Sequence, residues 1–234
     1  MMSRFYGNLD PRNIATYSIG DAAKYLRIPA ATIRSWTVGR KYPKADSEGF
    51  FQPLISIPEQ KPRLLSFTNL VEVHVLRAIR QHHNVDLVKV RKALDYIEAN
   101  LNVAHPLAQE EFRTDGVDLF IERYGRLINA STAGQTGLKA LLAAHLARIE
   151  PDDTGVAMKL YPLTRAHEED SPRIVVIDPR IAFGRLVIEG TGIPTSVLAE
   201  RYWAGDSIDE LAEDYRCDRL TIEEAIRCER PVAA

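Results

Sequence analysis

Tyr17-Ser-Ile-Gly-Asp-Ala-Ala-Lys-Tyr-Leu-Arg-Ile-Pro-Ala-Ala-Thr-Ile-Arg-Ser-Trp36 reads as two short helices joined by a tight turn. Ser18 is a natural N-cap, and Asp21 stands three residues on, where the carboxylate of a capping box belongs. Ala22, Ala23 and Leu26 supply the buried face of the first helix. Arg27-Ile-Pro29 ends it, because proline cannot continue the hydrogen-bond ladder. The second helix buries Ile33 and Trp36, three apart, and turns Thr32, Arg34 and Ser35 outward. A short helix exposing hydroxyls and a guanidinium suits a DNA major groove. Helix pairs with satisfied caps also occur in all-helical domains with no such role, so the motif alone does not carry the function.

Charge adds to the case. Residues 1–80 hold twelve Lys/Arg against six Asp/Glu, and residues 81–234 hold eighteen against twenty-six. The basic excess therefore falls around the helix pair, as expected of a chain that meets a polyanion at its front and a different partner behind. Residues 1–16, with Arg4 and Arg12, read as a flexible arm, lying along phosphates or simply solvated. Arg40 and Lys41 are expected in a turn just past the second helix, placed for phosphate contacts or for solvation. Leu54–Ile57 and Arg63–Ser66 read as two strands around a tip at Pro58–Pro62, carrying Lys61 and Arg63. A basic hairpin directly after a helix pair is a wing. Thr68 is expected to cap a helix from Asn69 to about Arg80. A second helix, Val85 to Ala99, carries Leu87, Val90, Leu94 and Ile97 as its apolar stripe. His82 and His83 fall between them as loop residues, with no metal-ligand spacing.

Residues Tyr17 to about Ala99 resemble the winged-helix DNA-binding domain of the MerR family. The resemblance rests on Thr32-Ile33-Arg34-Ser35-Trp36 in the second helix and on Phe67-Thr68-Asn69-Leu70 after the wing. It implies DNA contacts from Thr32, Arg34 and Ser35, and backbone contacts from Arg40, Lys41 and Lys61. The long insert between Trp36 and Phe67 and the missing coiled-coil helix depart from that family.

Residues 100–170 are expected to form a small α+β region. Glu111–Arg113, Leu119–Ile121 and Arg126–Asn129 read as short strands about turns at Gly116 and Gly125. Ser131–Gly137 reads as a small-residue loop without a phosphate-binding lysine. A helix follows with Leu138, Leu141, Leu142, His145 and Ile149 on one side, and Val156–Leu160 is a further strand. His167–Pro172 is the expected boundary to the last domain. No carboxylate pair, nucleophile triad or metal-ligand set stands out anywhere, so neither an enzyme nor a cofactor is expected. Cys217 and Cys228 make no disulfide framework and read as packing residues. The start of the chain has no apolar leader and no run is long enough to span a bilayer, so the cytoplasm is the expected compartment.

Residues 171–234 read as a compact helical domain. It has strands at Arg173–Ile177 and Leu186–Ile188, then helices from Ile193 to about Trp203 and from Ile208 to Tyr215. A last helix is expected to be capped by Thr221 with Glu224 as its capping-box partner. The unit resembles a helix–turn–helix-like domain of formerly unknown function found in bacterial antitoxins. Gly184-Arg-Leu-Val-Ile-Glu-Gly-Thr-Gly-Ile-Pro-Thr195 and Gly205-Asp-Ser-Ile-Asp-Glu-Leu-Ala-Glu-Asp-Tyr215 carry the likeness, with Gly192 where that family usually has arginine. Together the two domains resemble atypical VapB-type antitoxins of mycobacteria. That resemblance implies a PIN-domain ribonuclease toxin as partner, an oligomeric complex with it, and binding of the complex to its own promoter DNA. Residues 174–230 hold seven Arg and twelve Asp/Glu, a balance that suits a basic protein surface better than phosphates. Glu200, Arg201, Asp209, Glu210, Glu213 and Asp214 are the candidate contacts, with Arg180 and Arg185 as candidates for reaching a toxin's carboxylates; a merely solvated face is the alternative. The expected fold is thus α+β and mostly helical: a winged helix–turn–helix, a small mixed middle region and a helix–turn–helix-like C-terminal domain. The competing function is a stand-alone MerR-like regulator with a ligand-sensing middle domain.

Overall fold

The computed structural model describes residues 9–44, 47–81, 87–128, 132–165 and 171–230. Arg4, His82, His83 and the His167–Asp170 part of the expected boundary lie outside these residues. The chain is a mostly helical α+β fold whose contacts gather into two units. One comprises 1–34, 57–67 and 159–234, the other 35–56 and 68–158. These bounds cut across the four segments drawn from the sequence.

In the first unit the helix pair forms as its sequence dictates. Ser18 accepts the amide of Asp21 at 3.1 Å, and Asp21 answers by accepting the Ser18 amide at 2.9 Å, so helix α1 (Ile19–Leu26) starts in a complete capping box. A cap of this kind is worth about 1 kcal/mol. Helix α1 buries Ile19, Ala22, Ala23 and Leu26. It ends one residue earlier than proline alone requires, because Arg27 takes the left-handed conformation and the Ile28 amide bonds back to Ala23. Pro29 then offers its carbonyl to Thr32 and Ile33 and opens helix α2 (Ala30–Thr37). The strand Tyr17–Ser18 (β1) was not legible in the sequence. It pairs with β5 (Arg63–Leu65), which pairs with β4 (Glu59–Gln60), giving a three-stranded sheet β1-β5-β4. The wing is therefore tighter than expected. Its strands are 59–60 and 63–65, whereas Leu54–Ile57 is not a strand.

The rest of this unit is the C-terminal module. Strands β7 (Ala157–Leu160), β8 (Val175–Ile177) and β9 (Leu186–Ile188) pair antiparallel through Leu160↔Ile177 and Val176↔Val187. Helices α7 (Thr195–Ala204), α8 (Ile208–Tyr215) and α9 (Arg219–Glu229) close around Ile188, Leu198, Leu211, Ile222 and Ala225. Asp218, not Thr221, is the N-cap of α9, accepting the Thr221 amide at 2.8 Å. Glu224 is consequently one turn too far along to cap. It is buried and meets Arg165 at 3.0 Å and Arg227 at 3.3 Å. Both cysteines are free thiols; Cys228 is buried and Cys217 packs at the edge of the helical core.

α1 repeats in α8, residue for residue. Ser18-Ile-Gly-Asp-Ala-Ala-Lys-Tyr-Leu-Arg27 aligns with Ser207-Ile-Asp-Glu-Leu-Ala-Glu-Asp-Tyr-Arg216. Both have the capping box, both run eight residues, and both end on a left-handed arginine followed by an amide bonding back five residues, Ile28 to Ala23 and Cys217 to Ala212. This is the Schellman ending, which satisfies carbonyls that a helix otherwise leaves open.

The second unit holds a hairpin and four helices. Strands β2 (Arg40–Lys44) and β3 (Ser47–Phe51) pair from Arg40↔Phe51 outward. Helices α3 (Phe67–Gln81, from Thr68 in this unit) and α4 (Leu87–Leu101) follow. Thr68 lies inside α3 and does not cap it. α4 buries Val90, Ala93 and Ile97, while Leu94 is only half-buried. Among the described residues the three strands expected between Glu111 and Asn129 are absent. A π-turn at Phe112–Gly116 runs into helix α5 (Val117–Ile128). Phe112, Val117, Phe120, Ile121 and Tyr124 are all buried, at helical spacing. Gly116 is required there, since a Cβ would lie 2.7 Å from the Phe112 ring. Residues 132–137, expected as a loop, open helix α6 (Thr132–Leu146) instead, and Ile149 lies beyond it on strand β6 (Ile149–Pro151).

Candidate nucleic-acid and partner interfaces

On α2, Ile33 and Trp36 are fully buried, which fixes the helix rotation and turns Arg34 outward. Thr32 and Ser35 are half-buried on either side of it. Helix α2 is eight residues long, and its basic side chain is Arg34. Lys61 sits exposed at the turn of the β4–β5 hairpin, its amide held by the Glu59 carboxylate at 2.9 Å, and Arg63 beside it is exposed as well. Thr32, Arg34 and Lys61 thus belong to one unit. Arg12, from the expected arm, is half-buried in a 2.7 Å ion pair with Asp10.

Arg40 and Lys41 belong to the other unit and lie on strand β2, not in a turn. The insert pairs with itself from Arg40↔Phe51 to Lys44↔Ser47, and residues 45–46 lie outside the described residues. Lys41 is paired with Glu48 across the hairpin at 2.6 Å. Sequence reasoning missed what surrounds Arg40. An open groove is lined by Arg40, Tyr42, Phe50, Arg80, Val88 and Arg91, with Tyr42, Phe50 and Val88 exposed. Arg91 bonds the Pro53 carbonyl at 2.6 Å and covers the Phe51 ring. An insert between motif residues shows no periodicity beyond its own hairpin, so no sequence signal marked this groove.

The acidic candidates on the C-terminal module divide into two kinds. Arg201 bonds Asp206 at 2.6 Å and Asp214 at 2.7 Å and lies over the Tyr215 ring, and bonding to Tyr215 and to those carboxylates raises its pKa. Asp209 pairs with Arg219. Glu210 is the capping-box carboxylate of α8, its pKa lowered by the Ser207 amide and hydroxyl. These four side chains hold the module together. Glu200 and Glu213 are exposed, and none of the ion pairs among the described residues involves them. Arg180 grips Asp178 through Nε at 2.9 Å and a terminal nitrogen at 2.6 Å, and Arg185 donates Nε to the Ala182 carbonyl at 3.2 Å.

Unit one also ties its two helix–turn–helix motifs to each other. Lys24 pairs with buried Glu229 of α9, which also accepts the Thr195 hydroxyl at 2.5 Å. Arg27 donates to the Arg227 carbonyl. The Tyr17 hydroxyl donates to the Gly184 carbonyl at 3.0 Å. Among the described residues no group of three or more His, Cys, Asp or Glu could hold a metal ion, and no helix is long and apolar enough to cross a membrane.

Fold and surface together define a helix–turn–helix protein with a second module of the same local design. Residues 15–94 match the family described as "Putative DNA-binding HTH domain", and residues 175–227 match "Protein of unknown function (DUF433)". Over 220 residues the chain is 27% identical to "Putative antitoxin VapB45" of Mycobacterium tuberculosis, covering 87% of this chain and 89% of that protein. It is 26% identical over 220 residues to the uncharacterized protein Rv2308 of the same organism, covering 90% and 88%. The crystal structure of Rv2018 from Mycobacterium tuberculosis superposes with a TM-score of 0.69 at 22% identity, over 91% of this chain and 98% of that one, which shows a shared fold. The chain thus carries a helix–turn–helix domain and a DUF433 domain and is related to VapB-type antitoxins.

Proposed function

We propose that the chain is an antitoxin that binds and silences a PIN-domain ribonuclease toxin and represses its own operon by binding the promoter. The observation that carries the DNA half is Arg34, exposed on a short helix whose rotation is locked by buried Ile33 and Trp36. In this reading Arg34 enters a major groove of double-stranded DNA as a winged-helix protein of MerR type would, with Thr32 and Ser35 beside it. Lys61, Arg40 and Lys41 meet phosphates. The partner half is supported by the relation to a VapB-type antitoxin and by the acidic C-terminal module, whose exposed Glu200 and Glu213 offer charge to a basic protein surface. Asp209, Glu210, Asp214 and Arg201 shape that face more than they contact through it, and Arg180 and Arg185 supply its basic counterpart.

A mobility shift on the DNA upstream of the gene, with and without the product of the neighbouring gene, tests both halves. A specific guanidinium-to-base contact is worth about 1–3 kcal/mol. Arg34→Ala is therefore expected to weaken the shift by about tenfold or more and to leave binding of the neighbouring protein unchanged. Loss of both would place Arg34 in the folding of the protein and not in its DNA contact. A neighbouring protein that does not bind would leave a stand-alone regulator as the better reading.

A further inference from the structure

Between β8 and β9 the loop Asp178–Arg185 holds two adjacent non-glycine residues, Ala182 and Phe183, at φ of 48° and 56°. Side chains rarely adopt this left-handed region, and two in succession persist only where surroundings over-determine them. Here they do. Asp178, wholly buried, accepts the Arg180 amide and guanidinium; the Ile181 amide bonds the Asp178 carbonyl at 3.0 Å; the Gly184 amide bonds Ile181 at 2.9 Å; and Arg185 bonds Ala182. Tyr17 pins the far end at Gly184, where a Cβ would sit 2.0 Å from its hydroxyl oxygen. What this construction presents is apolar. Phe183 is 68% exposed and Ile181 38%. A backbone held in strain to project a phenyl ring into water is the reverse of what folding alone selects.

We propose that this loop is the knob by which the chain docks its protein partner, with Phe183 and Ile181 entering an apolar socket edged by carboxylates. Charge identifies the socket. Two exposed guanidiniums flank the ring in sequence; Arg180 is paired with buried Asp178, and Arg185 is in no ion pair among the described residues, so the loop's uncompensated charge is that of Arg185. An aromatic anchor on rigid backbone with arginine at its rim is the composition that dominates binding energy in protein interfaces. Pre-organisation lowers the ordering cost of association. The inference rests on the reading of the chain as an antitoxin with a protein partner.

The test is titration calorimetry of the full chain against the purified product of the neighbouring gene, with melting temperature followed in parallel. Phe183→Gly removes the ring and suits the left-handed backbone, so the protein is expected to melt no lower than wild type while its affinity falls by about 30-fold or more. Phe183→Tyr is expected to retain most of the affinity. Arg185→Glu is expected to weaken binding most at low salt. If wild type binds the neighbour and Phe183→Gly binds equally well, the knob is wrong and the antitoxin reading stands. If wild type itself does not bind, the reading falls and the knob with it. A Phe183→Gly defect confined to operator binding would make DNA the occupant, and one confined to self-association would make it a second copy; either overturns the proposal.

Discussion

Arg27 and Arg216 occupy the same place in two copies of one motif, yet they do not carry the same burden. Each ends its helix at a φ near 50°, 52° for Arg27 and 54° for Arg216. A left-handed side-chain residue costs about 1–2 kcal/mol, and glycine at such a site gives back about 0.4–1 kcal/mol through the freer unfolded chain. Arg216 is exposed, and among the described residues its side chain makes no hydrogen bond or ion pair. Arg216→Gly is therefore expected to stabilise the protein by roughly 0.5–1 kcal/mol. Arg27 donates to the Arg227 carbonyl, linking the first motif to α9. Its replacement forfeits a charged hydrogen bond worth about 1.5–3 kcal/mol if fully formed, so Arg27→Gly is expected to be neutral or destabilising. Thermal melts of the two variants side by side decide the matter: equal shifts would mean that the Arg27–Arg227 contact contributes nothing.

At the scale of elements, α3 and α6 meet through two histidine rings. The His74 ring shares a hydrogen bond of 3.1 Å with the His145 carbonyl, and the rings lie 4.9 Å apart. Burial holds His74 well below the usual histidine range, helped by His145, Arg77 and Arg148. Burial likewise brings His145 down to about 4, with a bond to the Leu141 carbonyl opposing and Arg77 and Arg148 adding to the fall. Groups with depressed folded pKa bind fewer protons folded than unfolded. Their stabilising contribution is complete above about pH 6.5 and is lost as pH falls toward the folded values. His105 runs the other way. Its hydrogen bond to Glu72 raises its pKa, so its contribution is present at low pH and fades as pH rises through the raised value; being partly exposed, it is the smaller effect. Stability, and the melting temperature with it, is therefore expected to fall between pH 6.5 and 4.5, by on the order of 2 kcal/mol from His145, with His74 adding to the fall in the same direction. His145→Leu should flatten that fall; an unchanged slope would put the pH sensitivity elsewhere. Neither ring was legible as a pair, because His74 and His145 are far apart in sequence and each sits singly on an apolar helix face. Where local chemistry decides, the sequence sufficed: Ser18 with Asp21, Ile33 with Trp36 and the span of α8 all read correctly. Phe112 to Tyr124 failed for an identifiable reason. Its apolar residues come in short clusters broken by charge and glycine, which read as strands, although their spacing of three and four belongs to a helix. β1 is two residues long, below the reach of any period.

At the scale of the molecule, the chain passes between its two units four times, since residues 1–34, 57–67 and 159–234 form one and 35–56 and 68–158 the other. A domain order read along the sequence treats 171–234 as detachable from the DNA-reading helices. The contacts within the first unit argue against cutting there. α1 leans on α9 through Lys24 with Glu229 and Arg27 with Arg227, and the residue that precedes the α1 cap, Tyr17, is bonded to Gly184. Glu229 is buried, and removing one partner of a buried charge pair costs about 3–5 kcal/mol, less where the other partner is partly exposed as Lys24 is. The opposite charges of the two motifs then have a structural consequence: the acidic module does not need to touch DNA to be necessary for DNA binding. A fragment ending at residue 170 is expected to lose at least tenfold in operator affinity and to melt without the sharp transition of the full chain, even though every proposed DNA contact is still present in it. Gel shift and far-UV melting on that fragment check this directly. If the fragment shifts the operator as well as the full chain does, α1 and α2 stand without α9, and the ties at Glu229, Arg227 and Gly184 serve the C-terminal module alone.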